Sequence, residues 1–338
     1  MLTLRDIADE AGVSTATISN VINGNISKVS AENAARIQEI IEKRRYIPNS
    51  SARTLAAKSS HIIAGVLLGG RGVNMLLDPY NAEFFGELIS SVQERGYYLM
   101  IRYVISYEEV IHSLQSWNVD GAVFVGTSDE YIKKIQKEFQ IPLIFTDSYT
   151  KQQKVSNVGI DDFKGGVLAA EHFLAKGHRA LGFVGYSFGE QKRSVVSERF
   201  RGFSSVLYAH GVKLTEKQYF YLPVGDPRGD IQKIAARLAA GKGEITGIFV
   251  TADILAIALM EALSEQGIKI PEDISIIGFD DVSITANIVP GLTTIRQNIS
   301  QKAQVATDLL FRQIEGKLPF RNSVLEVSLV ERDSVLSI

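Results

Sequence analysis

Short apolar runs alternate with longer amphipathic stretches from Ile62 to Phe279, and this pattern constrains the fold more than any other feature. Apolar runs of about four to eight residues are typical of buried strands, and amphipathic stretches between them are typical of covering helices. The alternation predicts an α/β domain with parallel sheets and helices on both faces. The predicted strands are Ile62–Leu68, Tyr98–Val104, Gly121–Val125, Leu143–Asp147, Leu181–Val184, Gly247–Thr251 and Ile274–Phe279.

These strands are too many for one sheet. Residues 62–159 and residues 160–290 each hold their own set, and a further strand is predicted over Val324–Val330. We therefore predict two lobes separated by a cleft. Ligands of open parallel sheets bind beyond the carboxyl ends of the strands, so the cleft is the expected ligand site.

Residues 1–48 have the pattern of three short helices instead. Thr3 with Asp6 forms a typical N-cap pair, and Gly12 is placed to end the first helix. Ser14 and Ser30 are placed to cap two further helices. Two short helices joined by a tight turn match the helix-turn-helix, whose second helix enters the major groove of DNA. Spacing alone leaves a plain three-helix bundle as the alternative.

Composition excludes several classes of function. The chain has 338 residues, a formal net charge of -2 and no cysteine. Disulfides, thiolate nucleophiles and cysteine zinc sites are therefore excluded, and any nucleic-acid surface is local. We expect no metal and no cofactor. Because Met1 leads directly into charged residues and no apolar run approaches the roughly 20 residues of a membrane span, we expect a cytoplasmic protein without a membrane partner.

Several segments are characteristic in their exact residues as well as in their spacing. They are Leu4-Arg5-Asp6-Ile7-Ala8, Ala11-Gly12-Val13-Ser14, Ala16-Thr17-Ile18-Ser19, Val21-Ile22-Asn23-Gly24, Tyr46-Ile47-Pro48-Asn49, Gly165-Gly166, Lys176-Gly177-His178-Arg179, Ser197-Glu198-Arg199-Phe200-Arg201-Gly202-Phe203, Gly278-Phe279-Asp280-Asp281 and Leu292-Thr293-Thr294-Ile295-Arg296-Gln297. Together they strongly resemble the lac repressor/galactose repressor (LacI/GalR) family across nearly the whole chain.

The resemblance implies an all-α helix-turn-helix headpiece and a two-lobed α/β domain of the periplasmic-binding-protein type (type I). The implied divisions are a headpiece at 1–48, a hinge helix at 49–60 and an effector-binding and dimerisation domain at 61–338. Within that domain the N-terminal lobe comprises about 61–160 and 292–321, and the C-terminal lobe about 161–291 and 322–338. The chain would cross between the lobes three times.

The resemblance also implies a homodimer that binds palindromic operator DNA as a repressor of carbohydrate-utilisation genes. Leu55 takes the place of a hinge leucine that inserts into the minor groove and kinks the duplex. Asn20 stands where the family usually has arginine, and asparagine prefers adenine edges. The residues expected to contact DNA are Thr3, Arg5, Ser14, Thr15, Ala16, Thr17, Ser19, Asn20, Asn23, Ser30, Tyr46, Asn49, Ala52, Arg53 and Leu55.

A small-molecule effector, a sugar or sugar derivative, is expected in the cleft. Arg199 and Asp253 match an arginine and an aspartate that bind effector in relatives, although the usual asparagine before the aspartate is Ala252 here. One aromatic residue near the start of the first lobe is expected to stack on the ligand. The effector residues implied are Tyr80, Phe84, Phe85, Asp147, Tyr186, Ser187, Arg199, Asp253 and Gln297.

Three other functions are weighed against this one. Residues 185–189 match GxSxG directly after a strand, as in a hydrolase nucleophile elbow. Only His210 follows Ser187 as a candidate base, within a predicted loop and helix, so we expect no enzyme activity. A solute-binding receptor has no use for a helix-turn-helix. A regulator that needs a co-repressor remains open.

Overall fold

The computed structural model describes residues 2–22, 24–46, 59–69, 75–186, 193–223 and 227–338. The chain divides into two compact units, Met1–His61 and Ile62–Ile338. None of the helices within the described ranges is long and apolar enough to cross a membrane.

The described part of the N-terminal unit holds three helices, α1 (Leu4–Ala11), α2 (Thr15–Ile22) and α3 (Ala31–Arg44), with a 3₁₀ turn at Ile26–Lys28. The predicted caps are confirmed. Thr3 and Asp6 form a reciprocal capping box, and Gly12 ends α1 with a left-handed φ of 63°. The helices enclose a small apolar core made of Ile7, Ala8, Ala11, Ile18, Val21, Ile37 and Tyr46.

The second unit contains two six-stranded sheets. The strands of the first are β1 (Ile62–Leu68), β2 (Tyr98–Val104), β3 (Gly121–Val125), β4 (Leu143–Thr146), β5 (Ser156–Ile160) and β11 (Asn322–Leu325), in the order β11-β5-β4-β3-β1-β2. Those of the second are β6 (Leu181–Tyr186), β7 (Tyr219–Leu222), β8 (Gly247–Val250), β9 (Ser275–Asp280), β10 (Thr293–Gln297) and β12 (Val327–Val330), in the order β12-β10-β9-β8-β6-β7. Neighbouring strands are parallel, except that β12 runs antiparallel to β10.

Helices cover both sheets, as the alternation predicts. They are α4 (Pro79–Gln93), α5 (Tyr107–Trp117), α6 (Asp129–Glu138), α7 (Asp162–Ala175), α8 (Val195–Ala209), α9 (Arg228–Ala240), α10 (Asp253–Glu265) and α11 (Ile299–Ile314), with 3₁₀ turns at Met75–Leu77, Glu216–Gln218 and Ser283–Ala286. Helices α4 and α11 pack on the first sheet, whereas α7 packs beside β10 and β12 of the second. We call the first sheet with its helices the N-lobe and the second the C-lobe.

The strand pairing corrects the predicted lobe boundaries. The chain changes lobe after β5, between β10 and α11 at Asn298, and between β11 and β12 at Glu326. The predicted boundaries at 291/292 and 321/322 are therefore each a few residues early, and the single predicted strand Val324–Val330 is two strands in different sheets. The reason is physical: the partner of each strand lies far away in sequence. Leu325 pairs with Ile160, and Gln297 pairs with Val327, so the three crossings lie side by side.

Two glycines allow α7 and α8 to cross at very short range. A Cβ atom on Gly202 would lie 1.9 Å from the carbonyl oxygen of Phe163, and one on Gly166 would lie 2.0 Å from that of Arg199. Both neighbours are backbone atoms, which cannot move independently of their helix. The crossing therefore fixes the position of Arg199 on α8 relative to the start of α7.

Candidate functional site

A cluster of polar side chains lies between the lobes. On the N-lobe side it comprises Tyr80 from the first turn of α4, Asp147 directly after β4, and Lys302 from α11. The hydroxyl of Tyr80 donates to Asp147 Oδ2 at 2.6 Å, and Lys302 Nζ donates to Asp147 Oδ1 at 2.6 Å. The carboxylate is thus held by two donors of its own lobe.

The C-lobe side is organised around Arg199. Its Nε donates to Asp162 Oδ1 at 2.8 Å, and its Nη1 donates to the carbonyl of Thr251 at 2.6 Å. The guanidinium carbon lies 3.4 Å from the centre of the Phe279 ring, and Nη1 lies 3.9 Å from Asp280 Oδ1. Such stacking and paired donation suit a planar guanidinium, so that Arg199 is held in one orientation.

Direct hydrogen bonds join the two lobes. Lys302 Nζ donates to Gln297 Oε1, and Gln297 Nε2 in turn donates to Asp280 Oδ1 at 2.5 Å. Tyr149 lies in the N-lobe, in the loop after β4, and its hydroxyl donates to Asp162 Oδ2 of the C-lobe at 2.7 Å. At the edge, the backbone N–H and hydroxyl of Ser283 donate to Glu83 Oε1 at 2.8 and 2.7 Å. The lobes are therefore in contact through polar groups.

A cavity of about 570 Å³ opens beside this cluster, within the size range of small-molecule sites. Helices α6 and α8 both begin at its wall, with Ser128 and Ser194 as their N-caps. The Oγ1 atom of Thr127 is buried there without a hydrogen-bond partner within the described part of the chain. The lining residues are Gly126, Thr127, Ser128, Asp129, Glu130, Asp147, Tyr149, Thr150, Lys151, Arg193, Ser194 and Val195.

Burial shifts the acid–base properties of the cluster. It raises the pKa of Asp280 to about 7, against the opposing charge of Arg199. It also raises the pKa of Asp162, which Arg199 partly offsets. Burial alone would lower the pKa of Arg199, but Asp162 and Asp280 hold it above its ordinary value. Burial and the charge of Asp147 raise the pKa of Tyr80 well above its ordinary value, so its phenol keeps its proton and acts as a donor.

The second helix of the N-terminal unit carries the predicted DNA-reading surface. Thr15 and Ala16 are exposed at its start, and Thr17, Ser19 and Asn20 are partly exposed. The Ser14 hydroxyl accepts from the backbone N–H of Thr17 at 3.2 Å and caps the helix. Hydroxyl and amide side chains at the start of an exposed helix can bond phosphates and base edges.

Comparison with known proteins bears directly on this arrangement. Residues 3–49 match the model of bacterial regulatory proteins of the lacI family, and residues 170–335 match the periplasmic binding protein-like domain. The chain is 30% identical to the ribose operon repressor of Halalkalibacterium halodurans, over 94% of this chain and 92% of that protein. The chain belongs to the LacI family of bacterial regulatory proteins. Members of this family are DNA-binding transcriptional regulators, and that is the function of this chain.

Other LacI-family proteins are also similar to this chain over most or all of its length. The HTH-type transcriptional repressor PurR of Edwardsiella ictaluri is 29% identical, over 99% of this chain and 97% of that protein. The lac repressor dimer bound to operator and the anti-inducer ONPF matches with a TM-score of 0.84 and 25% identity, over 99% of both chains. A LacI-family regulator from Enterococcus faecium with bound ribose matches with a TM-score of 0.71 and 28% identity, over 82% of this chain and 99% of that one.

The structure places the effector residues expected of this LacI-family chain in three groups. Tyr80, Asp147, Arg199 and Gln297 meet in the interlobe cluster. Phe84 and Phe85 lie in the N-lobe core, 0% and 2% exposed, and only Phe84 stacks on Tyr80. Tyr186 ends β6 and packs against the C-lobe core, while Ser187 falls outside the described residues.

Asp253, which we expected to bind the effector, lies inside the C-lobe. Its side chain is fully buried, with Oδ1 accepting from the Thr294 hydroxyl at 2.6 Å and Oδ2 from the Val282 N–H at 3.1 Å. It thereby ties α10 to the chain around β10 beneath the cleft. The C-lobe carboxylates of the cluster are Asp162 and Asp280 instead.

Four residues of the cluster are absent from the sequence-based prediction: Tyr149, Asp162, Asp280 and Lys302. Asp280 closes a strand within a family segment, so its position at a strand end was a usable signal. Lys302 lies on the otherwise apolar face of α11 with Ile299, Ala303 and Ala306, where a charge is unexpected. No comparable signal in the sequence marks Tyr149, which lies in a loop.

The expected DNA contacts fall into similar groups. Arg5 is exposed, whereas Thr3 and Ser30 use their hydroxyls to cap helices. Tyr46 is only 8% exposed and packs in the headpiece core. The expected residues outside the described ranges are Asn23, Asn49, Ala52, Arg53 and Leu55, and most of the expected hinge helix at 49–60 lies there too.

Proposed function

We propose that this protein is a homodimeric cytoplasmic repressor of carbohydrate-utilisation genes that binds a palindromic operator and responds to a sugar in its cleft. The observation that carries the proposal is the convergence of arginine, carboxylate, amide and phenol groups from both lobes beside a cavity of about 570 Å³. Mixed donors and acceptors suit the hydroxyl groups of a polyhydroxylated ligand.

The charges in the cluster favour a neutral ligand. Arg199 is already paired with Asp162, and Lys302 is already paired with Asp147. A phosphate group bound to Arg199 or Lys302 would have to displace one of these buried carboxylates, which costs the desolvation of an unpaired charge. The ribose operon repressor and the ribose-bound regulator among the relatives support a small uncharged sugar.

The experiment joins operator release to ligand binding. An operator is first selected from random DNA duplexes with the purified protein, and its affinity is measured by fluorescence anisotropy. D-Ribose, other pentoses and hexoses, sugar phosphates and nucleosides are then added. We expect a neutral sugar to weaken operator binding and, at 100 times its Kd, to stabilise the protein by about 2.7 kcal/mol. A response to nucleosides or sugar phosphates alone would refute the sugar, and tighter operator binding would indicate a co-repressor.

For the DNA side, we propose that Thr15, Ala16 and Asn20 read bases while Arg5, Thr17 and Ser19 position the backbone. Dimerisation places two such helices on the two half-sites of a palindrome. We also propose that residues 49–60 form the hinge helix, with Leu55 as its minor-groove wedge.

Asn20→Ala is expected to relax specificity at one base pair of each half-site. A bidentate contact from asparagine to adenine contributes about 1–3 kcal/mol of discrimination, so the preference at that position should fall by that amount. The measurement is competition binding against operators changed one base pair at a time. Gln38→Ala, exposed on α3, is the control and should leave the pattern unchanged. An unaltered specificity profile for Asn20→Ala would remove Asn20 from base recognition.

A further inference from the structure

Lys302 is a charged residue in an apolar position. It lies one turn into α11, is 0% exposed, and has Ile299 and Ala303 as buried neighbours on its helix. An ammonium group removed from water is stable only where its protons are all bonded and its charge is balanced. The surroundings of Lys302 must therefore supply hydrogen-bond acceptors for its protons and a negative charge to balance its own.

The three protons of the ammonium have three acceptors. Nζ donates to Asp147 Oδ1 at 2.6 Å, to the Tyr80 hydroxyl oxygen at 3.1 Å and to Gln297 Oε1. A lysine has three donors, so its hydrogen-bonding capacity is filled by the protein itself. The carboxylate of Asp147 balances the charge.

These acceptors belong to both lobes. Tyr80 and Asp147 are N-lobe residues, as is Lys302, whereas Gln297 is the last residue of β10 in the C-lobe. Gln297 passes the connection on to Asp280 at the end of β9. All three acceptors are groups that a polyhydroxylated ligand in the cleft would otherwise use. The lysine thus takes the place of ligand hydroxyls at this end of the cleft.

We propose that Lys302 is a built-in bridge that occupies the inner end of the cleft and holds the two lobes together without a ligand. The bridge deepens the proposed function by limiting where a ligand can bind, because it leaves the cavity at Thr127, Tyr149 and Ser194 as the remaining space. The bridge itself is a property of the chain alone, so its test needs neither operator nor sugar.

The test is a distance measurement between the lobes by electron spin resonance. Since the chain contains no cysteine, Lys133→Cys on α6 and Ala209→Cys on α8 introduce two exposed label sites, one in each lobe. Labelled chains are diluted with unlabelled chains so that distances within one chain dominate. The ligand-free protein is compared with the same protein carrying Lys302→Met, which keeps the aliphatic stem and removes the charge.

We expect one narrow distance distribution for the parent and an additional population at longer distance for Lys302→Met. Lys164→Met, an exposed lysine on α7, is the control and should reproduce the parent distribution. Identical narrow distributions for the parent and Lys302→Met would overturn the bridge, and so would a parent distribution as broad as that of the variant. A loss of overall stability alone would not move the distance in the folded protein, so a merely structural lysine is distinguished.

Discussion

Arg199→Ala is expected to lower the free energy of unfolding by about 3–5 kcal/mol, because it leaves buried carboxylates without their counter-charge. The side chains of Arg199 and Asp162 are 7% and 2% exposed, and Asp280 lies close to the same guanidinium. Removing one member of such a pair costs more than the pair contributes, since the remaining charge keeps its desolvation penalty. The change is measured by urea unfolding monitored by circular dichroism.

Arg201→Ala is the matched control for this prediction. Arg201 lies two residues after Arg199 on the same helix. Its side chain is 56% exposed and pairs with Glu198. Glu198 is only 3% exposed, but it keeps its second ion pair with Arg193 when Arg201 is removed. Its charge is therefore not left unpaired, and we expect a smaller loss than for Arg199→Ala. The double variant Arg199→Ala, Asp162→Asn should recover part of the stability, because one orphaned charge is removed with its partner. A loss below about 1 kcal/mol for Arg199→Ala would contradict the buried pairing.

Gly202→Ala is expected to destabilise the C-lobe by about 1–3 kcal/mol or more, since the added methyl group meets backbone. The 1.9 Å approach to the Phe163 carbonyl cannot be relieved by a side-chain rotation, so α7 and α8 must move apart. That movement carries Arg199 away from Asp162. We therefore expect weaker effector binding in the same variant, measured by calorimetry with the sugar identified by operator release.

Gly86→Ala is expected to stabilise the protein, in contrast to Gly202→Ala. This glycine lies in the middle of α4, and a Cβ there meets nothing within 4 Å. Replacing a helical glycine by alanine stabilises by roughly 0.5–1 kcal/mol where there is room. Thermal unfolding of the two variants side by side separates close packing from helix propensity. Equal effects of the same sign would show that the α7–α8 crossing is not tightly packed.

Local signals predicted most of the fold. Caps such as Thr3 with Asp6, and apolar runs such as Gly121–Val125, act within a few residues and are visible in the sequence. The residues around Glu326 show where local signals no longer predict the fold. The sequence predicts one strand over Val324–Val330, but its two halves pair with strands of different lobes, which only the assembled sheets determine.

The candidate site was predictable where residues matched family segments and less so elsewhere. Arg199 and Gln297 follow from such matches and Asp147 follows from its place at the end of a predicted strand, and the structure brings the three into one cluster. The prediction for Asp253 rested on sequence position alone, whereas its hydrogen bonds to Thr294 and Val282 occupy it inside the lobe. Lys302 was missed because an apolar helix face is ordinarily read as core, and its acceptors lie far away in the sequence.

The three lobe crossings have a mechanical consequence. Because Ile160 pairs with Leu325 and Gln297 pairs with Val327, the connections run next to one another through adjoining strands. Three neighbouring connections resist sliding and twisting, and they leave rotation about a common axis as the soft motion of the domain. Displacement then grows with distance from that axis. A few degrees of rotation that barely alter the contacts beside Asn298 are amplified at the far ends of the lobes.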